Sequence, residues 1–194
     1  MRMMASGLEV VRRRAPIRTE ILSIFNVVLF VLFGWSIRGF LFEIPAFLLY
    51  LGLGDITAIL FYMLAFALVE SVIITGGLVL LSMILPSNWL KIGFAYKVFL
   101  IILVATIGSI FFQGYYKIGF FENLIMNNYS DLQPILEGLI ICLIGLAVLF
   151  WIFNNKPRLQ KYLSVVIEQF SIFGYIYFPL GVIGILVVFL RNIL

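Results

Sequence analysis

Five long apolar stretches, separated by short polar or basic segments, set the pattern of this chain. They cover about 21–37, 56–85, 94–113, 135–153 and 163–190. Taken as one helix, the longest, from Ile56 to Leu85, rises roughly 45 Å at 1.5 Å per residue. A bilayer's hydrocarbon core is only about 30 Å thick, so that stretch crosses it with length to spare. Each of the others is long enough for one crossing, and the pattern predicts an all-α, polytopic membrane protein, a bundle of five transmembrane helices.

The segments between the stretches supply the punctuation. Residues 1–20 form a basic, soluble-looking N-terminal segment ahead of a membrane domain that occupies 21–194. They show no apolar core and no small-residue cleavage site, so targeting is assigned to the first span. Asn26 is the strongly polar interior residue of that span, and Trp35 an interface anchor near its end. Residues 38–55, RGFLFEIPAFLLYLGLGD, are too apolar for a free loop and too short for a spanning hairpin. An interfacial or shallow re-entrant segment is expected there, with Pro45 opening a short helix and Gly52 and Gly54 ending it. Asp55 is a plausible N-cap for the second span. Residues 114–134 form an aromatic-rich linker, and Ser130 or Asp131 is placed to cap the fourth span. The turn NNKPRLQK precedes the fifth, in which Pro179 is expected to produce a kink.

Charge sets the orientation. With five spans, Arg2, Arg12, Arg13, Arg14, Arg18, Lys91, Lys97, Lys156, Arg158 and Lys161 fall on one side, and Arg38, Lys117 and Arg191 on the other. Ten basic residues against three put the N-terminus in the cytoplasm and the C-terminus outside. Gly76 and Gly77 allow the alternative of a re-entrant pair of half-helices around Glu70, but that break would move Lys91, Lys97 and the basic turn outside and spoil the bias. A single crossing is therefore expected.

Composition agrees with the pattern. Of 194 residues, 64% are hydrophobic and 11% charged, against roughly 45–50% apolar and about 25% charged in soluble domains. The mean hydropathy is +1.19. A chain this apolar must turn its surface to lipid. The net charge of +4 comes largely from the N-terminal segment and fits topology and attraction to anionic lipid better than nucleic-acid binding. The single Cys142 permits no internal disulfide, and the absence of histidine removes His-ligated metal or haem and His-dependent nucleophilic catalysis from this chain. No cofactor and no metal site are expected.

Three sets of residues are candidates for chemistry. Glu70 lies almost at the middle of the second span, where a charged side chain costs at least about 2.5–3.5 kcal/mol. Either it serves an ion or proton path, or it is a neutral carboxyl that locks helices together. At similar depth the sequence offers Thr106, Ser109, Tyr175 and Tyr177 as partners and no cation, so desolvation favours the neutral form and a locking role between the second, third and fifth spans. On the outer side, Arg38, Glu43 and Asp55 are a candidate headgroup site, or Arg38 and Glu43 simply pair across the linker. On the inner side, Lys156, Arg158 and Lys161 are candidates for anionic lipid, although topology alone accounts for them. Asn128-Tyr129-Ser130 matches a glycosylation sequon. Gly145, Gly181 and Gly184 allow close helix approach.

These features divide three functional classes. The leading expectation is a non-enzymatic subunit or accessory protein of a larger membrane complex, in the plasma membrane of a prokaryote. Its partners would be the bilayer and another membrane protein or a second copy. The alternatives are a small transporter or channel using Glu70, and a membrane module of a lipid-headgroup enzyme at Arg38 and Glu43. Five spans do not decide between them, because topology does not carry function.

Overall fold

A computed structural model describes residues 16–85, 93–115 and 133–193. The described residues are helical almost throughout: α1 Arg18–Tyr50, α2 Leu53–Ile84, α3 Phe94–Tyr115, α4 Gln133–Asn155, α5 Pro157–Gln169 and α6 Ser171–Ile193. Among the described residues, four stretches are long and apolar enough to cross a membrane: Arg18–Tyr50, Leu53–Ile84, Leu136–Asn155 and Pro157–Arg191, the last running through the α5–α6 joint. Phe94–Ile110 is a shorter apolar helix within α3. The Asn128 sequon and the caps expected at Ser130 and Asp131 lie outside the described residues.

The first departure from expectation is the linker. Residues 38–50 are not a separate interfacial helix; they continue α1, which runs unbroken for 33 residues with Pro45 inside it. Phe, Leu and Ala on both sides of the proline keep the helix going. Pro45 removes one backbone donor and leaves the carbonyl of Leu41 without its helical partner, a loss that apolar membrane helices tolerate. The reversal takes two extended residues, Leu51 and Gly52. The Leu51 N–H donates to the Phe47 carbonyl at 2.8 Å, and the Asp55 and Ile56 N–H groups donate to the Gly52 carbonyl at 3.0 and 3.1 Å. Gly52 is thus the cap of α2, while Gly54 and Asp55 stand within its first turn.

The second departure is at the other end. Pro179 sits inside α6, and the interruption comes earlier, at Phe170. There the Phe170 and Phe173 N–H groups donate three residues back, to the carbonyls of Ile167 and Phe170 at 3.2 and 3.1 Å. The sequence change explains it. Residues 157–169, PRLQKYLSVVIEQ, place polar and apolar positions on opposite faces, whereas α6 is apolar nearly all round. The apolar helix therefore begins at Ser171, eight residues after the expected start.

The chain divides into two compact units, residues 1–95 with 164–194, and residues 96–163. In the first, α1, α2 and α6 pack on one another. Gly39 on α1 lies opposite Met63 of α2, Gly181 on α6 meets Phe33 and Leu68, and Gly184 meets Phe61 and Ala65. These pairings make α1 and α6 parallel to each other and antiparallel to α2. Leu29, Phe33, Leu64, Ala67 and Leu68 form the centre, with Leu32, Leu60, Tyr177 and Leu180 packed around it.

Lipid tails are as apolar as leucine, so close packing rather than apolar transfer must hold such helices together. At Gly184 the two helices meet backbone to backbone: an added Cβ would stand 2.6 Å from the Phe61 carbonyl oxygen and 3.0 Å from the Ala65 nitrogen. Rings fill the opposite seam. Phe30 of α1 lies 5.0 Å from Phe170 and 4.6 Å from Phe173, and Phe33 lies 5.1 Å from Tyr177. In the second unit, the Tyr96 hydroxyl donates to Asn154 Oδ1 at 2.9 Å and the Gln160 amide donates to the Phe153 carbonyl at 2.8 Å, which fastens the α4–α5 corner. Gly108 faces Cys142, whose sulfur lies 3.1 Å from where a Cβ would stand.

Candidate functional site

The candidate residues are best understood from the two faces of α2. Leu64, Leu68, Ser71, Thr75 and Ser82 are buried on one face. Phe66, Glu70, Ile73, Gly77, Leu80 and Ile84 are exposed on the other. The outward set repeats at alternating steps of four and three residues, which holds it to one stripe of a helix.

Glu70 stands in that outward stripe. It is exposed, and no described side chain is within hydrogen-bond or ion-pair reach of it. It does not lock α2 to α6 as the sequence suggested. The inward position belongs to its neighbour Ser71, whose hydroxyl donates to the Ala67 carbonyl at 2.6 Å. Thr106 and Ser109, in the other unit, donate to carbonyls of their own helix, Ile102 at 2.7 Å and Ala105 at 2.8 Å. Tyr177 belongs to the ring seam against Phe33, and Tyr175 is 83% exposed.

The outer set also separates. Arg38 lies on α1 with its guanidinium carbon 5.1 Å from the ring centres of both Trp35 and Phe42. Those residues stand three before and four after it, the spacing at which helical side chains meet, and the contact is a cation–π sandwich. Glu43, five residues on, points elsewhere and makes no ion pair among the described residues. The expected Arg38–Glu43 pair is absent for that reason. Asp55 instead accepts from Arg191 Nη2 at 2.9 Å, both side chains about half exposed. This pair ties the start of α2 to the end of α6. The topology already placed both residues outside, so the signal was present in the charge pattern.

Lys156, Arg158 and Lys161 are all exposed around the α4–α5 corner and the first turns of α5. Lys97 is buried, with Nζ 5.8 Å from the Tyr96 ring centre. Of the glycines expected to serve close approach, Gly181 and Gly184 do so, and Gly145 meets nothing within 4 Å.

Two features had no counterpart in the sequence reading. Asn26 of α1 packs its side-chain amide against Gly174, where a Cβ would stand 2.7 Å from Asn26 Cγ. Thr75 is 5% exposed and its hydroxyl has no hydrogen-bond partner. It lines an open groove of about 340 Å³ between α1 and α2, with Phe25, Val72, Gly76 and Val79. Glu70 is not part of that groove. Neither a protein-family model, a curated protein nor a solved structure matches the chain.

Proposed function

We propose that this chain is a non-enzymatic subunit or accessory protein of a larger membrane assembly, acting through helix packing. α3 supplies the fifth crossing beside the four longer stretches. The N-terminus is cytoplasmic, the C-terminus outside, and the membrane the plasma membrane of a prokaryote. One observation carries the reading: the α1–α2 hairpin is longer than a bilayer and apolar at its outer end.

The lengths make the argument. Arg18 and Arg38 on α1 are twenty residues apart, roughly 30 Å of helix, which equals the thickness of a hydrocarbon core. With those two arginines at its boundaries, the last twelve residues of α1 stand about 18 Å beyond the outer one. Fitting all 33 residues of α1 into the core would need a tilt of about 53°, outside the usual range of about 0–40°. Yet Leu41, Phe42, Leu48, Leu49, Tyr50 and Leu53 are all exposed on this projection. Contiguous apolar surface outside the hydrocarbon marks a contact with protein. Headgroup chemistry gains no support here, because Arg38 and Asp55 are each engaged elsewhere, and transport gains none, because the groove stops short of Glu70.

The test is purification of the full chain from its native membrane in mild detergent after cross-linking from a photoreactive residue at Leu49. A second membrane protein in fixed stoichiometry is expected, cross-linked at Leu49 and lost when Leu49 and Leu53 become serine. A stable monomer with catalytic or transport activity of its own would overturn the reading.

A further inference from the structure

Within its own unit the outward stripe of α2 is a second unpartnered surface, on the opposite face of the helix from the core that α1 and α6 cover. From Phe66 to Ile84 it is apolar apart from one carboxyl. The alternation of four and three residues is the spacing by which one helix seats against another. Gly77, about two turns from Glu70, is exposed with nothing within 4 Å of where a Cβ would stand, so a helix backbone can come close there. By the pairing of Gly39 with Met63, Glu70 lies about 10 Å along the axis from the level of Arg38, inside the hydrocarbon. A carboxyl in such a place is costly unless another group meets it.

The chemistry of that group follows from charge. The sequence holds no Lys or Arg between Val98 and Tyr116, between Pro134 and Asn155, or between Tyr162 and Leu190. Of the two cations of α1, Arg38 is held between Trp35 and Phe42 about 10 Å from the level of Glu70, and Arg18 stands at the far boundary, about 20 Å from that level. A second copy therefore brings no cation to the level of Glu70. Resting on the accessory reading, we infer that the stripe Phe66, Glu70, Ile73, Gly77, Leu80 and Ile84 seats a transmembrane helix of a different protein, one that carries a lysine or arginine level with Glu70. The carboxylate and the cation then satisfy each other in lipid, and Gly77 sets the closeness of approach.

The experiment uses the full chain in phosphatidylcholine vesicles with three synthetic leucine-rich transmembrane helices, bearing lysine, leucine or glutamate at the central position. Energy transfer from a donor on the chain's C-terminus to an acceptor on the helix reads association. The lysine helix should associate about tenfold more strongly than the leucine helix, the scale of one good polar contact between membrane helices. Glu70→Leu should remove that preference, and Glu70→Lys should transfer it to the glutamate helix. Gly77→Leu, which leaves the charge intact, should weaken the lysine helix severalfold. Equal association of all three helices would overturn the inference. So would a lysine preference that survives Glu70→Leu, or disulfide-linked homodimers through Ile73→Cys in a Cys142→Ser background. Failure here with a partner still recovered at Leu49 overturns only the seat on α2; success here with no native partner overturns only the accessory reading.

Discussion

Adding one methyl group at Gly184 tests whether the α2–α6 contact is what holds the first unit together. In Gly184→Ala the new Cβ would lie 2.6 Å from the Phe61 carbonyl oxygen and 3.0 Å from the Ala65 nitrogen, whereas ordinary contact begins at 3.4 Å. The obstacles are backbone atoms, so no side-chain rotation relieves them. The helices must part by up to about 0.8 Å over this turn, and close packing falls off steeply over such a distance. Overpacking of this kind costs about 1–3 kcal/mol. The better helix propensity of alanine, about 1 kcal/mol at most, returns part of it. A net loss of about 1–2 kcal/mol should lower the apparent Tm by about 2–8 °C for a chain of this size.

The measurement is thermal unfolding of the detergent-solubilised chain, followed by the fraction that stays monodisperse after heating. Gly145→Ala is the control, since nothing lies within 4 Å of its Cβ position; it should hold or raise the apparent Tm. If both substitutions shift the Tm alike, the close approach of α2 and α6 is not a source of stability and the packing argument fails.

Three further outcomes follow from single contacts. Thr75→Val keeps the shape and removes a buried hydroxyl that has no partner, so stability should rise by about 1 kcal/mol; a lower Tm would mean that the hydroxyl is bonded in the membrane. A double-mutant cycle of Asp55→Asn and Arg191→Gln should give a coupling of about 0.2–1 kcal/mol, smaller at high salt, because both partners are about half exposed. Coupling of several kcal/mol would indicate that the pair lies in lipid. In a Cys142→Ser background, a cysteine at Asp55 should react with a membrane-impermeant thiol reagent added outside intact cells and a cysteine at Lys156 should not; the reverse pattern refutes the orientation.

The apolar lengths and their helical character were legible because a membrane helix is defined by composition over many residues. The expected stretches at 94–113 and 135–153 lie inside α3 and α4. Boundaries set by single residues were harder. Pro45 and Gly54 are strong breakers in water, but in an apolar run the chain on both sides has no better option than helix. At Phe170 no breaker residue stands, and the joint comes from a change of helical periodicity between α5 and α6. The partnership of Asp55 with Arg191 was not read from the sequence, where Asp55 stood with Arg38 and Glu43 although charge placed Arg191 on the same side. The orphan Thr75 and the contact of Asn26 with Gly174 depend on side-chain packing across helices, which one sequence does not specify.

Glu70 shows how the packing requirement decides the placement of a polar residue. A bundle held by close contact needs small groups where helices cross, and the inward face of α2 supplies Ala65, Ala67, Ser71 and Thr75 there. Ser71 and Ser82 satisfy their hydroxyls within the helix, so they enter the bundle without needing a partner. A glutamate is too long to fit between backbones this close and cannot satisfy itself in that way. The demand that builds the bundle therefore turns the carboxyl outward. Glu70→Leu should accordingly leave the isolated chain at least as stable as before, and its insertion into lipid should improve by about 2.5–3.5 kcal/mol. Thermal unfolding of the purified variant, together with a membrane-insertion assay of the α2 segment, measures the two effects. A marked fall in Tm for Glu70→Leu would show that the carboxyl is bonded within the chain, and the outward stripe would then lose its meaning as a surface for a partner.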